Sequence, residues 1–114
     1  MDMEVYAVYL DFSRKLDSPD FPFQRLLAHV APDKAQRLKR FWRDEDKLRG
    51  LYGDLLIRWA ILEHLGKDTP GLKNQTIRFG VNDFGKPYLI GHPGFQYNIS
   101  HSGNWVVGVI DRDI

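Results

Sequence analysis

The residues best suited to chemistry stand together in one string, Tyr97-Asn98-Ile99-Ser100-His101-Ser102-Gly103. Hydroxyl, amide and imidazole groups follow one another there, between two apolar runs. Ahead of the tip, Phe95, Tyr97 and Ile99 alternate with Gln96, Asn98 and Ser100; behind it, Trp105 to Ile110 is almost wholly apolar. Two such runs around Ser102-Gly103-Asn104 predict a β-hairpin whose turn carries the glycine. Period-2 alternation puts Asn98 and Ser100 on one face, and Ile99 and His101 on the other. Ser100 and His101 therefore cannot act as a nucleophile–base pair, because successive strand residues point to opposite sides. Spacing places no acid beside Ser102 to complete a triad. The string reads instead as rigidly held polar groups able to grip a polar ligand.

A second set of chemistry-bearing residues is cationic. Ala31-Pro32-Asp33 opens a helix, with proline at a favoured early position and an acid near the positive end. Over Asp33–Arg43, at about 100° per residue, Ala35, Leu38, Phe41 and Trp42 share an apolar sector. Lys39, Arg40 and Arg43 take the opposite side, while Lys34 and Arg37 flank Phe41 at the sector's edge. Five basic residues and no acid lie between Lys34 and Arg43. Such a run is either a solvated face or an anion clamp, since cations one turn apart suit a phosphate.

The elements that position these groups follow from periodicity. Glu4 to Phe12 is apolar on both alternations and predicts a strand covered on both faces. Ser13 to Pro22 is a loop, and Phe23 to Val30 a short helix with Phe23, Leu26, Leu27 and Val30 on one side. Asp44-Glu45-Asp46 starts a long helix that runs to Leu65 and stops at Gly66. Leu48, Leu51, Tyr52, Leu55, Leu56, Trp59, Ile61, Leu62 and Leu65 cover most of its circumference, which makes it the central buried helix. Asp54 and Arg58 form an i,i+4 pair, worth a few tenths of a kcal/mol if exposed. Gly50 and Gly53 each cost a helix about 1 kcal/mol against alanine and imply a close neighbour, a strand or a ligand. Lys67 to Gln75 is a loop, Thr76 to Val81 and Tyr88 to Ile90 are short strands, and Asn82 to Pro87 is a turn. The fold class is α+β, a small antiparallel sheet packed against the long helix.

Composition bounds the rest. The 114 residues suit one domain, able to bury roughly two-thirds of its unfolded surface. A net charge of +1 does not suit a nucleic-acid binder. The absence of cysteine excludes disulfides and thiolate metal sites, and fits a cytoplasmic setting. No apolar run reaches membrane-spanning length, and the acidic start Met1-Asp2-Met3-Glu4 does not read as a signal peptide.

Three pieces in order, Phe41-Trp42 to Asp54, Asp83-Phe84-Gly85-Lys86-Pro87 and Tyr97 to Ser102, resemble the N-terminal half of 4′-phosphopantetheinyl transferases of the surfactin-synthetase-activating type. The resemblance spans nearly the whole chain. It implies a transferase that moves the phosphopantetheine arm of coenzyme A to a serine of an acyl- or peptidyl-carrier protein, with Mg²⁺ and release of 3′,5′-ADP. By that resemblance Lys34 and Arg37 address the 3′-phosphate, Arg49 adds positive charge, Lys86-Pro87 borders the adenine, and Ser100 and His101 contact phosphates. Gly50 stands where some members have threonine. The family's Gly-x-Asp-x-Glu metal segment and Trp-x-x-Lys-Glu helix would follow Ile114. Residues 1–114 are thus expected to be the coenzyme-A-facing half, without the metal-binding C-terminal half and inactive alone. Asp83, Asp111 and Asp113 are the acids left near the site. In the family a second half covers this one, so an apolar surface, Trp105, Val107 and Val109 or else Val106 and Ile110, is expected to drive homodimerisation. The reading from a different class is a non-catalytic module for an anionic ligand or a partner protein, which would not prefer coenzyme A over ATP.

Overall fold

The computed structural model describes residues 2–16, 18 and 21–112. Part of the loop expected over Ser13–Pro22, namely residues 17, 19 and 20, lies outside them, as does Asp113. The axis of the fold is α1's successor twice removed: after α1 (Phe23–Leu27) and α2 (Pro32–Lys39) comes α3 (Asp44–Leu65), 22 residues long. Its first turn holds Asp44, Glu45 and Asp46, where carboxylates favour the positive end of the helix dipole. Leu48, Leu51, Leu56, Ile57, Ala60 and Ile61 are buried on more than one side of it. Trp59, expected among the covered residues, is instead half exposed, edge-on to Tyr6 at 5.1 Å.

One flank of α3 rests on an antiparallel sheet ordered β1 (Asp2–Tyr9), β5 (Trp105–Arg112), β4 (Phe95–Ser102). Phe95, Tyr97, Val106 and Ile110 are buried toward the helix, as strand alternation requires of one face. A Cβ at Gly53 would lie 3.2 Å from Ile99 Cγ2, so that glycine marks the close approach of helix and strand. The other flank takes α2 through the fully buried Leu38, which fills the place a Cβ at Gly50 would need. The neighbour of Gly50 is therefore a helix, where a strand or ligand was expected.

The hairpin tip is a two-residue loop, Gly103-Asn104, between the paired Ser102 and Trp105. Gly103 has φ +57°, the positive value that a II′ turn needs at its first position and glycine supplies freely. Asn104 clamps this tip to the end of β1: Leu10 N–H donates to the Asn104 carbonyl at 2.7 Å, and Asn104 Nδ2 donates to the Leu10 carbonyl at 2.8 Å. A second, two-stranded ladder pairs β2 (Phe79–Val81) with β3 (Pro87–Leu89), following a 3₁₀ turn at Asn74–Thr76. Its turn is closed by Asn82 Oδ1, which accepts from the N–H groups of Phe84 and Lys86, each at 2.9 Å.

The α+β class stands as read, but several boundaries move. β1 ends at Tyr9 rather than Phe12, and it is open on one face: Met3, Val5 and Tyr9 are exposed beside Trp105. Of the two apolar surfaces weighed on the last strand, Val106 and Ile110 are fully buried, so the open one carries Trp105, Val107 and Val109. α2 ends at Lys39 rather than Arg43, because Arg40 and Phe41 donate to carbonyls three residues back, and Arg43 is extended before α3 begins. That tightening ends the helix and turns Trp42 out of the expected apolar sector to 96% exposure. The same three-residue bonds end α1 before Val30. Among the described residues no helix is long and apolar enough to cross a membrane.

Leu38 is thus the contact that docks α2 on α3. Leu38→Ala is expected to lower the free energy of unfolding in urea by about 3 kcal/mol, within the usual range for such truncations. A loss below about 1 kcal/mol would mean that α2 is held by something else.

Candidate functional site

A cleft of about 910 Å³ opens between α2, α3, the β2–β3 ladder and β4. One wall is α2 with Lys34 and Arg37, and the floor is α3 with Gly50, Gly53, Asp54, Ile57 and Arg58. The facing wall is Ile77 to Val81 with Gly85 and Pro87, and the end is Tyr97, Ile99 and His101 of β4. Gly50 and Gly53 on this floor answer to packing, since a Cβ there would meet Leu38 or Ile99.

The residues that sequence reasoning assembled are only partly brought together. Lys34, Arg37, Arg49, Pro87 and His101 line the cleft. Lys86 does not; its Nζ lies 3.4 Å from Gln96 Oε1. Ser100 also does not, because it pairs with Val107 on the far face of the sheet while His101 faces the cleft. Arg49 is not a free cation. Its Nη1 donates to Asp46 Oδ1 at 3.0 Å, its Nε donates to the Gly103 carbonyl at 3.1 Å, and its guanidinium sits 5.1 Å from the Phe12 ring centre. It straps α3 to the hairpin tip. Lys34 and Arg37 form no ion pair among the described residues, and neither does Arg78 on the facing wall, whose Nη1 donates to the Gln75 and Ile77 carbonyls; Asp33 of α2 also lines the cleft.

The floor holds the i,i+4 pair Asp54–Arg58, whose exposure its spacing leaves open. Arg58 is 5% exposed, and its Nε donates to Asp54 Oδ1 at 2.6 Å. Its Nη1 donates to both the carbonyl and Oδ1 of Asn74, at 3.2 and 3.1 Å, and its guanidinium lies 5.4 Å from the Phe79 ring centre. The available signal was the apolar residues on every side of this helix, which leave no solvated stripe for an i,i+4 pair. Tyr97 stands beside it; burial, and then the Asp54 carboxylate, push its phenol up to about 12.

Among the described residues no three His, Asp or Glu side chains converge as a metal-holding set. Asp83 is exposed in the β2–β3 turn and does not line the cleft. Asp111 has a buried Oδ1 without a hydrogen-bond partner, but one such oxygen is far from the near-octahedral set that Mg²⁺ demands. The described residues do not fit a magnesium site.

A cleft with unpaired cations on both walls and a glycine- and proline-bearing ladder along one of them suits a ligand that combines phosphate and a flat ring. Comparison narrows this. Residues 18–112 match the family described as 4′-phosphopantetheinyl transferase, N-terminal. A 4′-phosphopantetheinyl transferase of Bacillus subtilis is 39% identical over 109 residues, covering 96% of this chain and 45% of the relative. The 4′-phosphopantetheinyl transferase Sfp of Bacillus subtilis strain 168 is 34% identical over 109 residues, with the same 96% and 45% coverage. The L-aminoadipate-semialdehyde dehydrogenase-phosphopantetheinyl transferase of Rattus norvegicus is 31% identical over 88 residues, 75% of this chain and 28% of that one. The chain belongs to the 4′-phosphopantetheinyl transferase family, and it corresponds to the N-terminal part. It spans less than half the length of these relatives.

The environment of Tyr97 gives a pH dependence with a definite sign. Its phenol titrates near 12 in the folded chain against 10.0 ordinarily, so above pH 10 the unfolded chain loses the proton first. Stability from this group is complete below pH 10 and is lost as pH rises toward 12. Tyr6, also raised to about 12 by its hydrogen bond to Glu4 and by desolvation, acts in the same direction. Tyr97→Phe is therefore expected to flatten part of the alkaline fall in urea midpoint between pH 9 and 11.5. An unchanged slope would place Tyr97 in contact with water.

Proposed function

We propose that this cleft binds coenzyme A. The whole protein, of which these residues form the N-terminal part, would transfer the phosphopantetheine arm to a serine of an acyl- or peptidyl-carrier protein in the cytoplasm. The observation that carries the reading is the pairing of Lys34 and Arg37, free of acid partners, with His101 and Pro87 around one cleft. Lys34 and Arg37 take the 3′-phosphate by charge-assisted hydrogen bonds. The ring lies along Pro87, within reach of Lys86 once that side chain leaves Gln96, and His101 meets the pyrophosphate at the far end. Arg49 contributes by holding the tip that carries His101. Ser100 comes to the site only through the resemblance; its hydroxyl faces away, and the proposal does not depend on it.

The family resemblance implies Mg²⁺ for the transfer, and the described residues offer no set to hold it. What this part of the protein supplies is binding and orientation, which hold the phosphate groups where a carrier serine can attack.

A second feature bears on partners. Met3, Val5, Tyr9 and Trp105 are exposed on one sheet face, with Tyr9 and Trp105 edge-to-face at 5.2 Å. Patches of this kind rarely stay open to water, and we infer that two copies of the 114-residue chain cover it mutually. Light scattering is expected to give a dimer that Trp105→Lys converts to monomer. A monomer at every concentration would remove the inference.

The coenzyme A reading is tested by calorimetry. Lys34→Ala with Arg37→Ala is expected to weaken coenzyme A binding at least about tenfold, the scale of one charge-assisted hydrogen bond, and to affect dephospho-coenzyme A much less. Equal losses for both ligands would remove the 3′-phosphate assignment. ATP binding as tightly as coenzyme A would favour a general anionic-ligand module instead.

A further inference from the structure

Asn74 connects parts of the cleft that are far apart in sequence. Its carbonyl and Oδ1 both accept from Arg58 Nη1 on the floor. Its Nδ2 donates to the His29 carbonyl at 2.9 Å, in the segment that leads into α2. A line of hydrogen bonds thus runs from Asp54 through Arg58 and Asn74 to His29, and ends just ahead of the wall that carries Lys34 and Arg37. From the same 3₁₀ turn the chain proceeds directly into Ile77 and Phe79 of the facing wall.

We propose that Asn74, anchored by Arg58, is a positioning residue that sets the separation of the two walls. It would thereby match the cleft to the distance between a ligand's phosphate and its ring. The inference rests on the coenzyme A reading for the ligand's identity. Its mechanical part rests on the hydrogen bonds alone. A carboxamide suits this post because it accepts on one side and donates on the other. The buried guanidinium of Arg58 cannot easily give up its partners, since an unpaired buried charge is strongly disfavoured. The Arg58 side of the line is therefore the fixed end, and the His29 carbonyl is the end that is held.

Asn74→Asp separates the two halves of the role. Aspartate still accepts from Arg58 but has no donor for the His29 carbonyl. In the free 114-residue chain, amide hydrogen exchange followed by NMR is expected to speed up about tenfold at Val30 and Ala35, the scale of one lost hydrogen bond. Both amides are hydrogen-bonded beside the strap, and α3 should keep its protection. Titrations read by the same spectra are expected to show coenzyme A weakened about fivefold. Dephospho-coenzyme A, which lacks the phosphate held by α2, should change less than about twofold. Unchanged exchange at Val30 and Ala35 overturns the proposal whatever the ligand does. Equal weakening of both nucleotides, with faster exchange, overturns the spacing role. If the unaltered chain binds neither nucleotide, the coenzyme A reading fails and the exchange result alone decides whether Asn74 holds the wall. Should Asn74→Asp fail to fold, Asn74→Ala carries the same readouts without the added charge.

Discussion

A guanidinium buried under an open cleft is the demand around which the site is arranged. Arg58 lies on the central helix at 5% exposure, where a lone cation would be untenable. Asp54 one turn earlier supplies the counter-charge, and two Asn74 oxygens and the face of Phe79 surround the rest. Those partners come from α3 itself, from the 3₁₀ turn and from β2. Satisfying one side chain therefore pins the β2–β3 ladder, which shares no ladder with the larger sheet, to the helix that the sheet covers. An apolar residue of similar volume would fill the space equally well, and such replacements are often neutral or stabilising. What the ion pair adds is direction: each hydrogen bond fixes which backbone stands where along the floor.

The same logic divides the sheet. Alternation along β4 and β5 commits Tyr97, Ile99, Val106 and Ile110 to α3, and thereby commits Asn98, Ser100, Val107 and Val109 to the opposite face. His101 follows from this division rather than from any contact of its own. It reaches the cleft because it shares a phase with Tyr97 and Ile99, and because Arg49 and Asn104 hold the tip from two sides. The polar string that suggested chemistry is thus cut lengthwise by the pleat, with one half toward the cleft and the other beside an exposed apolar surface.

The long helix, the hairpin and its glycine turn, and the α+β class were legible because each rests on local periodicity strong enough to survive packing. So was the separation of Ser100 from His101. One misreading occurs where a helix end decides the outcome. A wheel drawn through Arg43 places Trp42 with Leu38, but the helix closes at Lys39 and the wheel no longer applies. The i,i+4 spacing identified Asp54–Arg58 as a pair without deciding its exposure, and the apolar residues named around that helix are the signal for its burial. Lys34 and Arg37 were placed correctly on the edge of α2 since both precede the point where the helix ends. That they share a cleft with Pro87 and His101 is tertiary information, which no spacing within a single element contains.

The distribution of charge in the cleft follows from the distinction between cations that build and cations that wait. Arg58 and Arg49 are each engaged by local partners through Nε and Nη1 and are structural: one bonds the floor to a wall, the other the floor to the hairpin tip. Lys34 and Arg37 stand on a wall whose own acid, Asp33, belongs to the first turn of α2 and serves its dipole. An anion bound as proposed would meet Lys34 and Arg37 without displacing any internal ion pair. Such binding would leave the hydrogen bonds that shape the cleft intact. A cleft built with the roles reversed, its binding cations also holding its walls apart, would lose its shape whenever it bound.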